Sequence, residues 1–426
     1  MKKILLLLLF QVSVFAQGYT SYFTGNPVNS EAVPEPGLCL MGGATEHDEA
    51  MRWLLRKANG GDVVVLRSSG SDGYNDYLYS ELGIAINSVE TLVITSVAGA
   101  TNSYVLDKVA HAEMIWIAGG DQYNYVSYFK DNALEDLLNA YISIKRGPIG
   151  GTSAGMAILG SDYFSAQNGS VSSAQALNDP YHDKVTLGSN DFLAVPFMQN
   201  TITDTHYDNP DRRGRQSAFM ARLKQDSGRN VRGIACNEYV AVCIGSDGRA
   251  YVYGDYPNYD EFAYFIQPNC AAENVVENCT PNNPLTWKFN QQALKAYKVP
   301  GTMNGANYFD LNDWENATGS GGSWEHWWVN NGGFAAIPGS APECSLAVAE
   351  FDNAAVQVSP NPFQDHLSVK TDGKIKISIT DLQGRTVYVS EFSSDSNIDT
   401  SVFAKGSYVA RMESEGKTAV RKLIKK

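Results

Sequence analysis

Apolar and polar positions fall into different rhythms along this chain. Gly37 to Met41 is a short apolar run that ends at Gly42-Gly43, and Glu46 to Lys57 then carries apolar residues at helical spacing. Gly60-Gly61 punctuates before Asp62 to Leu66, Thr91 to Thr95 follows, and Met114 to Ala118 opens onto Gly119-Gly120. β-Branched runs that end in glycine-rich loops, each followed by a helical pattern, predict parallel strands covered on both faces. The expected class is therefore α/β, with active-site residues in loops at the carboxyl ends of the strands.

The two ends read differently. Lys2 and Lys3 precede the apolar run Ile4 to Phe10, and Val14-Phe15-Ala16 supplies a small-x-small cleavage signal before Gln17. Residues 1–16 are expected to be a secretory signal peptide, too short to span a bilayer. After Pro360 the period becomes two, through Leu367 to Lys370, Ile375 to Ile379 and Thr386 to Val389, with turns at Asp372-Gly373, Gln383-Gly384 and Lys405-Gly406. Short alternating strands with regular turns predict a small antiparallel β-sandwich.

Composition narrows the class. A chain of 426 residues with 43% hydrophobic content suggests two or three domains, not a disordered tail. The formal net charge is -13, so the surface repels phosphate backbones and nucleic acid is not expected as a partner. The charge is uneven: from Pro360 onward 11 Lys or Arg face 8 Asp or Glu, a net of +3, which leaves -16 on the rest. Six cysteines in an exported chain allow up to three disulfides. Cys270 and Cys279 close a short loop and form the favoured bridge, while Cys236 and Cys243 flank an apolar run and read as buried thiols. With no CxxC pair, zinc is not expected, and neither metal nor cofactor is invoked.

Gly151-Thr152-Ser153-Ala154-Gly155 is a GxSxG placed after a strand-like run (Ile142 to Ile149) and before a helix-forming one. A serine on such a strand-to-helix bend occupies strained φ/ψ space, which flanking glycines make room for, and its hydroxyl stands clear. Of the histidines, His47, His111 and His366 are expected at the surface, His182 lies in a polar loop, and His326 sits among tryptophans. His206 directly follows the strand-like Phe197 to Ile202 and is the candidate base. Glu238, between Gly233 to Asn237 and Tyr239 to Ile244, is the candidate for holding the imidazole. The order Ser…His…Glu is not the Ser…Asp…His of α/β-hydrolases.

Ile115 to Gln122, Gly150 to Gly155, Asp204 to Tyr207 with its downstream arginines, and Gly233 to Glu238 resemble, in order, the cyanophycinase branch of the S51 serine peptidases. The resemblance covers about residues 37–254 and implies a three-layer α/β sandwich with a mostly parallel sheet, related to class I glutamine amidotransferases. It implies Ser153 as nucleophile, His206 as base and Glu238 as its acidic partner. The N–H groups of Gly120 and Ala154 are implied as the oxyanion hole, and Gln122, Asp204, Thr205, Arg212 and Arg215 as substrate-binding residues. The pattern departs from the family in two places: Pro210 stands where the first arginine of R-x-R-x-x-R is expected, with Arg213 nearby as a partial replacement, and Asn237 replaces an Asp. Val358 to Phe363, then ITDLQGR, then KGSYVARM resemble the C-terminal sorting domain of the type IX secretion system, which implies that secretion machinery as a partner.

These readings divide the chain into a signal peptide (1–16), a peptidase domain (17–345) and a sorting domain (346–426), with 256–342 either a lobe of the peptidase domain or a separate insert. The expected activity is hydrolysis of peptide or isopeptide bonds in acidic or aspartyl-linked substrates by a secreted or surface-attached enzyme. A catalytically degenerate peptide-binding protein on the same fold is the rival. A carbohydrate-active reading rests only on Asp310 and Asp313 near Trp314. An exposed sheet edge would support a homodimer.

Overall fold

The computed structural model describes residues 17–315, 318–342, 344, 356–371, 373–381, 385–414 and 417–426. The expected signal peptide, Asp372 and the Gln383-Gly384 turn lie outside them. The chain divides into two compact units, Met1–Glu343 and Cys344–Lys426.

The first unit is built on two sheets. In the ten-stranded sheet, five strands run parallel in the order Ser88–Ile94, Asp62–Arg67, Met114–Ile117, Ile149–Thr152 and Leu38–Met41. Every residue of Leu38–Met41, Ser88–Ile94 and Met114–Ile117 is buried, which explains why Leu38–Met41 and Met114–Ile117 read as unbroken apolar runs. Antiparallel strands extend both sides, Tyr19–Gly25 on one and Ala241–Ile244, Arg249–Tyr253, Asn307–Asp310 and Gly319–Ser320 on the other.

One face of this sheet packs against helix Asp48–Lys57 through Ala50, Met51, Leu54 and Leu55. That helix begins with an acidic turn and ends with a basic one, as its dipole favours. The other face shares a core with helices Ser103–His111, Gln122–Phe129 and Ala133–Ala140, and with Ile234, Ala263, Phe265 and Val299 of the second sheet. The second sheet has eight strands, parallel only where Thr201–Asp204 meets Arg232–Cys236 and Asp162–Phe164. Helix Arg213–Ser227 covers its far side through Ala218, Phe219 and Met220. Residues 262–338 supply strands to both sheets and so complete the two cores.

Two expected strands shift. Tyr141–Lys145 is a helical turn that continues Ala133–Ala140, and the strand starts only at Ile149, after Arg146 adopts a left-handed φ of 55° and Pro148 removes a donor. Phe197 lies in a turn with φ 66°, and the strand runs from Thr201 to Asp204, closer to His206 than the apolar pattern suggested.

The favoured Cys270–Cys279 bridge is also corrected. Cys270 is disulfide-bonded, but not to Cys279. Cys279 is a free thiol in the core with Leu285 and Trp287, and burial pushes its pKa up to about 12. It serves there as a small apolar residue.

The second unit consists of antiparallel strands in a three-stranded and a four-stranded sheet. His366–Thr371 and Ile375–Asp381 turn alternate residues inward, burying Leu367, Val369, Ile375, Ile377 and Ile379 with Phe363 and Met412. The period of two therefore marks one buried face per strand.

Candidate active site

Ser153 ends the strand Ile149–Thr152 and begins the short helix Ala154–Ala157, with φ 50° and ψ -113°. A non-glycine residue in that region carries strain that its surroundings must hold. The surroundings are tight: a β-carbon on Gly155 would fall 2.0 Å from the carbonyl oxygen of Ile117, so the last glycine of the motif is a packing requirement.

His206 and Glu238 come from the other sheet. Thr201–Asp204 and Arg232–Cys236 are parallel neighbours, so the loops that follow them emerge at the same end. Ser153 Oγ lies 2.8 Å from His206 Nε2, and His206 Nδ1 lies 2.6 Å from Glu238 Oε1. The carboxylate favours a proton on Nδ1, which leaves Nε2 as acceptor for the serine hydroxyl. The hydrogen bond with His206 holds the Glu238 pKa below its ordinary value, with help from Asn209, whose side chain donates to Oε2 at 3.3 Å. Asp208 fixes the loop by accepting the Glu238 backbone N–H at 3.0 Å.

The junction between the sheets is Gly42-Gly43, directly after Leu38–Met41. Ser153 N–H donates to Met41 O (3.0 Å), His206 N–H to Gly42 O (2.8 Å) and Tyr239 N–H to Gly43 O (3.0 Å). Gly42 N–H donates to Val240 O at 2.9 Å. One turn of backbone thus ties down the segments that carry all three side chains. The glycine doublet was visible in the sequence as a strand terminator, but its tie to His206 was not, and Asn209 and Asp208 carried no local signal at all.

The Gly119-Gly120 loop lies beside the serine, since a β-carbon on Gly119 would sit 3.6 Å from Ser153 Cβ. Among the described residues, neither Gly120 N–H nor Ala154 N–H donates to a protein acceptor. Gln122 opens the helix Gln122–Phe129, and its side chain donates to Phe164 O at 3.3 Å.

The arginines divide into different roles. Arg215 and Asp204 are each 3% exposed. They pair through two bonds, Nε to Oδ2 at 2.8 Å and a second guanidinium nitrogen to Oδ1 at 2.5 Å. The remaining fork of Arg215 reaches Val171 O at 3.3 Å, and its plane lies over Phe164 and Phe219. The expectation that Arg215 and Asp204 face substrate is corrected: both are consumed by a buried bidentate pair under the loop. Thr205 is buried with its N–H on Asp204 Oδ1 at 2.8 Å. Arg213 pairs with both oxygens of Asp211 and lies over Phe334, so it does not replace the arginine missing at Pro210.

Arg212 differs. It donates to Thr205 O at 2.8 Å and stays partly accessible, and burial together with the Arg215 charge lowers its pKa. Of the sugar-binding candidates, Trp314 is buried against Phe309, Asp310 caps a turn through Asn312, and Asp313 accepts from the Thr318 hydroxyl at 3.2 Å. Among the described residues, no group of three or more His, Cys, Asp or Glu is arranged to hold a metal ion.

With this geometry in hand, the comparisons with known proteins add two family matches. Residues 72–249 match the model of Peptidase family S51. Residues 357–426 match the secretion system C-terminal sorting domain. Together they support an exported peptidase whose tail directs type IX secretion to the cell surface or the extracellular space.

Among solved structures, a peptidase from an acI-B1 Actinobacterium is 14% identical with a TM-score of 0.39, covering 54% of this chain and 94% of its own. A DUF3244 family protein with an immunoglobulin-like β-sandwich fold from Bacteroides vulgatus is 21% identical with a TM-score of 0.16, covering 18% of this chain and 88% of its own. No curated protein matches in sequence.

Proposed function

We propose that this protein is a serine-type hydrolase of peptide or isopeptide bonds, acting on acidic or aspartyl-linked substrates. The observation that carries the reading is the unbroken chain of contacts from Ser153 Oγ through the His206 ring to Glu238, at 2.8 and 2.6 Å. His206 Nε2 accepts the hydroxyl proton as Ser153 Oγ attacks the substrate carbonyl, and Glu238 stabilises the imidazolium that results. The developing oxyanion is met by the N–H groups of Gly120 and Ala154, in accord with their lack of protein acceptors. His206 then delivers its proton to the leaving amine, and water releases the acyl group by the same steps in reverse.

Arg212 lies close enough to Glu238 to help lower its pKa and keeps some exposure, which favours a substrate carrying a carboxylate. The same reading assigns residues 17–345 to the peptidase domain, with 256–342 as part of it, and 346–426 to the sorting domain.

The test is a fluorophosphonate probe on purified mature protein. Wild type should label at Ser153, and Ser153→Ala should lose both labelling and hydrolysis of β-aspartyl and isoaspartyl peptides while keeping its melting temperature. A folded wild-type protein that the probe never labels would point instead to a peptide-binding protein on the same scaffold.

A further inference from the structure

Cys39 and Cys243 stand directly opposite each other on the antiparallel strands Leu38–Met41 and Ala241–Ile244. Their sulfur atoms are 3.6 Å apart, and both residues are fully buried. The type of pair follows from the ladder. Gly42 N–H donates to Val240 O, which makes 42 and 240 a hydrogen-bonded pair. Pairs in an antiparallel ladder alternate, so 39 and 243, three positions along, form a non-hydrogen-bonded pair. Such pairs bring α-carbons to about 4.5 Å, inside the span a disulfide accepts. Both side chains also lie on one face of the sheet, in the core with Met51 and Leu54. The third thiol of this region, Cys236, belongs to the core on the opposite face and turns towards Leu40 O. Geometry therefore selects one partner for Cys39.

We propose that Cys39 and Cys243 are joined by a disulfide in the exported protein, forming a cross-strand bridge beneath the active site. The sorting tail takes the chain through and beyond an oxidising envelope, where such bonds form and persist. The oxidant is a protein disulfide of that compartment. One cysteine, as thiolate, attacks it to give a mixed disulfide, and the other then displaces the oxidant sulfur. Two thiols lose two protons and two electrons, and the oxidant leaves as a dithiol.

The bridge joins the strand that runs into Gly42-Gly43 to the strand that begins two residues after Tyr239. The glycine turn that directly follows the first of these strands supplies the backbone acceptors for His206 and Tyr239, so the bond anchors the floor of the site. Before oxidation only a weak thiol hydrogen bond, from Cys243 Sγ to Cys39 Sγ at 3.6 Å, adds to the sheet pairing at this point. The proposal requires export and is independent of the peptidase chemistry.

The experiment uses wild-type protein purified from culture medium without reductant, denatured, alkylated and digested. A peptide linking Cys39 to Cys243 is the expected product, with Cys236 and Cys279 alkylated. Alkylation of both Cys39 and Cys243 without prior reduction overturns the proposal, as does a bridge from either one to Cys236 or Cys279. The double variant Cys39→Ser/Cys243→Ser gives a second reading. Its melting temperature should fall below that of the oxidised wild type and should drop less when reductant is added. An equal drop in both proteins counts against the bridge.

Discussion

Gly43→Ala tests whether the glycine turn governs the active site. A β-carbon at position 43 would lie 2.4 Å from His206 Nε2 and 2.5 Å from Cε1. Carbon and nitrogen normally approach to about 3.5 Å, so the methyl intrudes by roughly 1 Å. The residue also has φ +112°, outside the range comfortable for alanine, at a cost of about 1–3 kcal/mol. The imidazole has little room to yield, because its backbone N–H is held by Gly42 O and its Nδ1 by Glu238. A displacement near 1 Å at a reacting group costs on the order of 10²-fold in rate. The assay is the second-order rate of fluorophosphonate labelling, with the melting temperature measured alongside. Gly169→Ala is the control, since Gly169 has φ +85° with nothing within 4 Å of the added carbon. It should lose some stability and label normally. Gly43→Ala that labels at the wild-type rate would falsify the claim that this turn fixes the histidine.

The other expectations concern charge. Glu238→Gln should slow hydrolysis by about 10²–10⁴-fold, because the amide no longer favours the required imidazole tautomer. Hydrogen bonding to His206 lowers the folded-state pKa of Glu238 below its ordinary 4.5, so its contribution to stability is present above that pH and fades as the pH falls through the lowered value. Chemical denaturation across that acid range should therefore show a flatter decline in Glu238→Gln than in wild type. Arg215→Met strands the buried Asp204 carboxylate and should cost about 3–5 kcal/mol, with much of it regained when Asp204→Leu is added. No recovery in the double variant would contradict the buried-pair reading. Arg212→Ala should instead leave folding intact and raise KM for carboxylate-bearing substrates about tenfold, as expected for losing a charge-assisted bond of roughly 1–2 kcal/mol.

Chain periodicity exposed much of this architecture. Runs such as Asp62 to Leu66 and Met114 to Ala118 read as parallel strands because burial on both faces leaves no polar alternation. The GxSxG serine was legible because the strained bend it occupies is marked by glycines within two positions of it, although the crowding at Gly155 comes from the distant Ile117. The Ile142 to Ile149 run misled for a related reason: an apolar stretch of that length suits a helix turn as well as a strand, and the left-handed Arg146 is decided by local backbone geometry that the pattern does not encode.

Side-chain identity at Arg215 and Cys279 gave no warning of their roles. An arginine in a helix reads as a surface cation until a carboxylate on another strand, Asp204, is found against it. A cysteine nine residues from another reads as a bridge until its neighbours prove to be Leu285 and Trp287.

The sequence by itself determined which segments are strands with two covered faces, where the strained serine sits, and that an exported chain ends in a small β unit. Only the tertiary structure decided that the serine belongs to one sheet while the histidine and glutamate belong to another, and that a pair of glycines joins them. The reason is range: φ/ψ preference and apolar period act over a few residues, whereas the contacts at Gly42-Gly43 join segments more than a hundred residues apart, and those exist only once both sheets have packed.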